Sequence, residues 1–206
     1  MSSSTVKSGR PGWVIPAIVI GILAVVIFFW AMNIKNGAIT KTQDVGESWG
    51  NVETSYQRRN DLIGNLVKTV EGAANFEKGT LTAVTEARAK ASSIQVDASN
   101  ATPEQLKAFG EAQAGVQSTF GRLLATVENY PDLKSNKNFE KLQDELASTE
   151  NEIRTARTRY NEKVKEYNNY VLRFPNSMFL GGYTEKPYFD AVAGAEKPVD
   201  VEFNIK

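Results

Sequence analysis

The strongest constraint on this chain is an uninterrupted apolar stretch near its N-terminus. From Trp13 to Met32 the sequence reads WVIPAIVIGILAVVIFFWAM and contains no charged side chain. As a helix it would be roughly 30 Å long, which matches the hydrocarbon thickness of a bilayer. Trp13 and Trp30 lie at its two ends, where indole rings prefer the lipid interface. The sequence predicts a transmembrane helix over 13–32, behind a short polar N-terminus (1–12).

A cleaved signal peptide and a buried core helix are the alternatives to a membrane span. Ala31-Met32-Asn33 is a poor signal-peptidase site, and a core helix would rarely run this far without a polar residue. We therefore expect an uncleaved single-pass anchor whose first partner is the lipid bilayer. Lys7 and Arg10 on one side balance Lys35 and Lys41 on the other, so the side occupied by the remaining chain stays undetermined.

The composition argues against most catalytic chemistry. The chain has no His and no Cys, which removes the commonest general base, the thiol nucleophile and the usual zinc ligands. Its 24 basic and 24 acidic residues leave no positive excess for nucleic acid. We expect no enzyme activity, no catalytic residue, no metal, no cofactor and no nucleic-acid partner.

Heptad-spaced apolar residues after the span predict long amphipathic helices. The first series is Val45, Trp49, Val52, Tyr56, Ile63, Leu66, Val70, Ala73, Val84, Ala87, Ala91 and Ile94. Because one register runs through it, it predicts one long helix, with a bend or reversal at Gly64, Gly72 or Gly79.

Two further helices carry clear boundary signals. Asp97–Asn100 indicates a turn, and Thr102-Pro103-Glu104-Gln105 has the composition of a capping box with proline at the first helical position. Tyr130-Pro131-Asp132 ends that helix, Ser135 or Asn136 caps the next, and Pro175 ends the last. The two seams are Leu106, Phe109, Gln113, Val116, Phe120, Leu123, Val127 and Tyr130, then Phe139, Leu142, Leu146, Thr149, Ile153, Ala156, Tyr160, Val164, Tyr167, Val171 and Phe174. The predicted fold is all-α, an antiparallel up-and-down bundle of three or four long helices over 33–175.

Polar and aromatic residues in the seams are the candidate site residues. Arg59 and Gln113 interrupt apolar seams, and we interpret both as register or interaction residues, since paired buried polar groups fix helix register. Tyr160, Tyr167 and Phe174 repeat every seven residues, each Tyr followed by Asn. This stripe favours a core position over a binding ladder.

The C-terminal segment 176–206 leaves the heptad pattern. Val199, Val201, Phe203 and Ile205 alternate with polar residues, which is the period of a half-buried strand. Two interpretations stay open: a loosely packed terminus, or a strand that adds to the edge of a sheet in a partner or a second copy. The second predicts that truncation after Lys197 abolishes an interaction but leaves the bundle intact.

Three ordered blocks resemble the LemA family. They are Arg58–Val67 with Val70–Gly72 and Glu86–Arg88, Tyr130–Lys134 with Asn138-Phe139 and Leu142-Gln143, and Thr149–Asn151 with Ile153, Ala156-Arg157, Tyr160-Asn161, Tyr167-Asn168 and Phe174-Pro175. Two departures matter: Gly64 stands where the family often has Pro, and Phe76 where it often has His. A metal proposal resting on that His fails for this chain.

The resemblance implies a bacterial single-pass protein of the cytoplasmic (inner) membrane with a helical aqueous domain and no established catalytic residues. We therefore expect a non-enzymatic membrane-anchored scaffold that binds membrane or envelope proteins or itself. The alternative is a binder of a small anionic ligand or metal, or an enzyme, that uses a polar pocket near residues 58–71. Asp61, Glu71 and Glu77 do not share a helix face, so an ion-paired surface is favoured there.

Overall fold

The computed structural model describes residues 13–72 and 76–189, and their regular structure is entirely helical. The helices are α1 (Val14–Glu71), α2 (Lys78–Ser92), α3 (Pro103–Val127), the one-turn α4 (Pro131–Lys134) and α5 (Lys137–Leu172), followed by a 3-10 turn at Asn176–Met178. The all-α prediction is confirmed.

The membrane segment and the bundle share one helix. α1 has 58 residues, so it is roughly 87 Å long, and it passes from the apolar segment into the bundle without a break. The side chains of the apolar segment are almost all exposed, and Ile34 is the first buried residue. α1 is also the one described helix that is long and apolar enough to cross a membrane.

The interpretation of residues 45–94 as one continuous helix is wrong, whereas the alternative of a reversal at Gly72 is found. α1 ends at Glu71 and α2 begins at Lys78, with Gly72 as the C-cap of α1. Of the three glycines considered, only Gly72 lies at the end of a helix. The apolar seams of α1 and α2 have the same heptad phase although the two helices are separate. A continuous heptad register in the sequence therefore did not mean that the helix is continuous.

α1, α2, α3 and α5 run alternately up and down. α5 lies antiparallel to α1: Lys41 pairs with Glu166 and Arg59 with Glu150, so rising numbers on one helix meet falling numbers on the other. α2 packs closely on α3 and returns along α1, where the Arg88 side chain lies against Gly64. The bundle therefore has the predicted antiparallel up-and-down order.

The capping predictions for α3 and α5 are confirmed. Thr102 accepts a hydrogen bond from the Gln105 amide at 3.2 Å, and the Gln105 side chain accepts one from the Thr102 amide at 3.0 Å. Asn136 caps α5 by accepting from the Asn138 amide at 2.9 Å. The apolar seam of α5 stops one position earlier than expected, at Val171, because Phe174 lies beyond the helix end at Leu172 and is 80% exposed.

Two apolar clusters form the core. The proximal core, nearer the membrane segment, contains buried side chains of α1 from Ile34 to Tyr56 together with Phe109, Ile153 and the C-terminal half of α5. The distal core contains α1 from Leu62 to Val70, most of α2 and α3, and the N-terminal half of α5. The proximal core also contains Val96, Ala98, Leu180 and Phe189, which lie outside the helices, so protein covers both clusters without lipid.

We expect the fragment 34–206 to be soluble and mostly helical. All buried apolar side chains of the described bundle lie within this range and are covered by protein. Far-UV circular dichroism of the purified fragment would check this. An insoluble or mainly unstructured fragment would contradict the view that the bundle folds without its anchor.

Candidate functional site

A buried polar layer separates the proximal core from the distal core. It consists of Arg59 and Asn60 on α1, Gln113 on α3 and Thr149 on α5, all of which are almost fully buried. On each of these helices the layer falls where one apolar cluster ends and the other begins. Arg59 lies about 40 Å along α1 from Met32, so the layer is well clear of the membrane segment.

Arg59 and Gln113, the two polar residues singled out in the seams, contact each other directly. The Nη2 atom of Arg59 donates to the Gln113 side-chain oxygen at 2.6 Å and to the Gln113 carbonyl at 3.1 Å. Its Nη1 atom donates to Glu150 at 3.2 Å, and that carboxylate is 38% exposed. One guanidinium therefore joins α1, α3 and α5 in a single register, because the three acceptors fit only one alignment of the helices.

A second set of polar contacts, made by asparagine side chains, holds the C-terminal segment against α5. The side-chain amide of Asn168 donates to the Lys186 carbonyl at 2.9 Å and accepts from the Lys186 amide at 2.8 Å. Asn161 makes the same two contacts with Phe189, at 3.0 and 2.8 Å. Each asparagine thus pairs with extended backbone as a neighbouring strand would.

The tyrosines that precede these asparagines complete the ladder. The hydroxyl of Tyr160 donates to the Pro187 carbonyl at 3.2 Å, and that of Tyr167 donates to the Thr184 carbonyl at 3.1 Å. Their rings are buried in the proximal core. The expected core role of Tyr160 and Tyr167 is therefore correct, yet the same residues also hold the segment 183–189, which we call the strap.

Two side chains of the strap are buried against the bundle: the ring of Phe189, which covers the proximal core, and the ammonium group of Lys186. Phe189 is buried against Trp49, Tyr56 and Phe109, with ring centroids 6.0 to 6.4 Å apart. Lys186 is buried as well, and its Nζ atom donates to the Ala98 and Ser99 carbonyls at 3.1 and 2.7 Å. No periodic signal in the sequence marked Lys186 or Phe189, because an extended segment paired to side chains has no helical repeat.

Burial controls the ionisation of the strap contacts. Desolvation raises the pKa of the Tyr160 hydroxyl to about 12 and raises the pKa of Tyr56 and of Tyr167. Desolvation also lowers the pKa of Lys186, opposed by the nearby Asp97 carboxylate. These shifts follow from packing and indicate structural roles rather than acid–base chemistry.

We expect the bundle to lose stability between pH 10 and pH 12. Unfolded Tyr160 ionises near pH 10, whereas the folded hydroxyl keeps its proton to about 12, so stability present below pH 10 is lost as the pH rises through this window. The stability lost by pH 12 through this one hydroxyl is about 2 kcal/mol. Tyr56 and Tyr167 act in the same direction, and Lys186 in the opposite one.

Urea unfolding of wild type and Tyr160→Phe at pH 9 and at pH 12 would measure this contribution. The stability advantage of the wild type over the variant should shrink by about 2 kcal/mol between the two pH values, because the folded hydroxyl is about half ionised at pH 12. An advantage that does not change with pH would show that the folded Tyr160 hydroxyl ionises as readily as the unfolded one.

The structure places a polar cleft of about 560 Å³ beside the predicted 58–71 region. Glu53, Arg58 and Asp61 line it, and within the described residues the buried side-chain oxygen of Asn60 has no hydrogen-bond partner. Arg58 also pairs with Glu152 at 3.4 Å. Two carboxylates against one engaged guanidinium do not favour an anion. In residues 13–72 and 76–189, no group of three or more acidic side chains is placed to hold a metal.

The remaining candidate residues divide between the membrane segment and the tail. Trp13 is exposed at the start of α1, and Trp30 is exposed near the end of the apolar segment, where its ring meets Phe179 with centroids 5.4 Å apart. The tail candidates lie outside the described residues: Val199, Val201, Phe203 and Ile205.

Fold and anchor together define the class: a single-pass membrane protein whose aqueous part is an antiparallel helical bundle. The model of the LemA family matches residues 48–203, and the chain belongs to that family.

Relatives with curated names include magnetosome protein MamQ 2 of Paramagnetospirillum magneticum, 28% identical over 88% of this chain and 74% of the relative. Magnetosome protein MamQ of Magnetospirillum gryphiswaldense is 26% identical over 87% of this chain and 74% of its own length. Protein LemA of Metamycoplasma hominis is 27% identical over 74% of this chain and 67% of its own length.

Proposed function

We propose that this protein is a non-enzymatic scaffold of the bacterial cytoplasmic membrane that binds membrane or envelope proteins, or its own copies, through its helical bundle. The observation that carries the proposal is the unbroken α1, which belongs both to the membrane segment and to the core of the bundle. The names of the relatives cited above state no reaction, which fits this role.

Because α1 is continuous, the bundle is rigidly connected to the membrane segment and extends away from it. About 39 residues of α1 extend beyond Met32, so the far end stands roughly 58 Å from the membrane segment. Packing against α5 from Ile34 onward stiffens α1 close to the membrane segment, where the Tyr170 hydroxyl donates to the Ile34 carbonyl at 3.2 Å. A scaffold that holds its partners in a fixed orientation relative to its membrane segment needs this coupling, whereas a tethered enzyme would work on a flexible linker.

Two insertions of equal length between Asn33 and Ile34 would test the scaffold role in the full chain. Seven glycines break the rigid coupling, whereas seven Ala, Glu and Lys residues continue α1 for two turns and nearly preserve its phase. Affinity capture from mild detergent extracts should recover a reproducible partner or oligomer with wild type and the helical insertion. The glycine insertion should weaken it. Recovery of the monomer alone from wild type would contradict the proposal.

A second candidate is binding of a small polar ligand in the cleft beside Arg58 and Asp61. The unpartnered oxygen of buried Asn60 favours it, since a ligand N–H group would satisfy that acceptor. Thermal unfolding of the 34–206 fragment with a panel of amino acids and polyamines would test it. A ligand that raises the unfolding temperature of wild type but not of Asn60→Leu would support it, and a panel without effect would count against it.

A further inference from the structure

The end of the bundle nearest the membrane segment carries an apolar surface that no described part of the chain covers. Beyond Val171 the chain exposes Leu172 (51%), Phe174 (80%) and Met178 (70%), within seven residues. We call this set the foot. Elsewhere in α5 the large apolar side chains face the cores, so the foot is a local change in surface character.

The fold fixes the height of the foot relative to the membrane segment. α5 descends antiparallel to α1 until Tyr170 reaches the Ile34 carbonyl, and the chain then crosses beneath α5 so that Phe179 stacks edge-on against Trp30. Gly37 permits this approach, because a Cβ atom there would collide with the Tyr170 hydroxyl. The foot is therefore level with the last turn of the apolar segment, where amphipathic aromatic residues meet lipid head groups.

The charges around the foot suit an anionic lipid surface. The chain has no acidic residue before Asp44 and none from Tyr167 to Thr184, while Lys35 and Arg173 lie within these two stretches; Lys41 also lies there but pairs with Glu166. Apolar side chains flanked by Lys and Arg are the combination found on protein segments that rest in the interface of a bilayer.

We propose that the foot inserts into the interface of the same bilayer that α1 crosses, as a second membrane contact. Leu172, Phe174 and Met178 enter the boundary between head groups and acyl chains, and Arg173 contacts lipid phosphate. Membrane contact at two points fixes the tilt and rotation of the bundle, which a single helix leaves free. The inference rests on the membrane span and not on the scaffold role.

Site-directed spin labelling of the full chain would test the proposal, and the absence of Cys makes every introduced thiol unique. Phe174→Cys and Met178→Cys carry the nitroxide at the foot. Thr184→Cys, at an exposed position of the strap, and Ser135→Cys, in the turn before α5, are the matched exposed controls. Each variant is reconstituted at one protein per nanodisc of phosphatidylcholine with a quarter of phosphatidylglycerol, which excludes contact with a second copy.

The readout is the collision rate of the nitroxide with molecular oxygen relative to a water-soluble nickel chelate. This ratio should be several-fold higher at 174 and 178 than at 184 and 135, because oxygen concentrates in lipid while the chelate stays in water. Ratios at 174 and 178 equal to those of the controls would overturn the proposal. So would labels at the foot that are shielded from both reagents, because that would indicate protein contact instead of lipid.

Discussion

Arg59→Leu should destabilise the bundle by about 3 kcal/mol while leaving its helix content unchanged. The substitution removes the donor that satisfies the buried Gln113 side chain and its carbonyl, and a buried acceptor left unpaired costs about 1–3 kcal/mol. It also removes the partner of Glu150, which adds little to the loss because this carboxylate is 38% exposed and can be solvated by water. Urea unfolding of the 34–206 fragment would measure the change.

Two companion variants make this prediction specific. Arg58→Leu breaks the neighbouring pair with Glu152, whose side chains are both largely exposed, and should cost less than about 1 kcal/mol. Arg59→Leu combined with Gln113→Leu should recover most of the loss, because it also removes the buried Gln113 side-chain amide and leaves only Glu150, which is 38% exposed and can bind water. If the double variant is no more stable than Arg59→Leu, the Arg59–Gln113 contact is not the source of the effect.

The polar layer should also specify how helices pair. An apolar layer would join the proximal and distal cores into one seam that tolerates sliding by a heptad, whereas three acceptors on one guanidinium allow a single register. We therefore expect the double Leu variant to be stable but less uniform in its association. Analytical ultracentrifugation of the fragment would show a broader distribution of species than wild type, and identical distributions would assign the layer to stability alone.

Phe189→Ala should cost about 3–4 kcal/mol, as large as a change inside a helix. The ring packs against Trp49, Tyr56 and Phe109 and carries the Arg157 guanidinium over its other side at 4.5 Å. Its loss opens the proximal core to water and weakens the strap.

The adjacent Tyr188 supplies the control, because it is 42% exposed and lies outside both cores, so Tyr188→Ala should change stability by less than about 1 kcal/mol. Truncation after Lys197 keeps the whole strap and should also leave the thermal unfolding of the bundle nearly unchanged. Truncation after Leu180 should lower it at least as much as Phe189→Ala. Equal unfolding temperatures for the two truncations would show that the strap does not stabilise the bundle.

Local sequence determined the elements of this protein. The apolar segment, the Thr102–Gln105 capping box, the Asn136 cap and the seams of α3 and α5 depend on interactions within a few residues of each other, so their patterns could be interpreted directly. Arg59 and Gln113 stood out for the same reason, since a polar side chain in an apolar seam is visible without knowing what faces it.

Tertiary structure decided what those residues contact. Nothing in the sequence stated that Arg59 and Gln113 meet, because the distance between residues 54 apart depends on how α1, α2 and α3 are arranged. The sequence offered Gly72 as one of three places for a bend or reversal but could not choose it, because α1 and α2 share a heptad phase, and phase reports the buried face of a helix but not its direction. Phe174 was expected in the core but is exposed, because heptad spacing predicts burial only for residues inside the helix and α5 ends at Leu172.

The strap and the foot show the limit most clearly. Lys186 and Phe189 are buried through backbone pairing with Asn161 and Asn168, and extended backbone held by side chains leaves no repeat in the sequence. Leu172 and Met178 look like ordinary apolar residues until α5 is placed against α1, which brings them level with Trp30. The sequence alone indicated which side chains are buried away from water, because the free energy of burial is a property of each apolar side chain. Only the fold decided whether protein or lipid surrounds them, because that depends on residues distant in the chain.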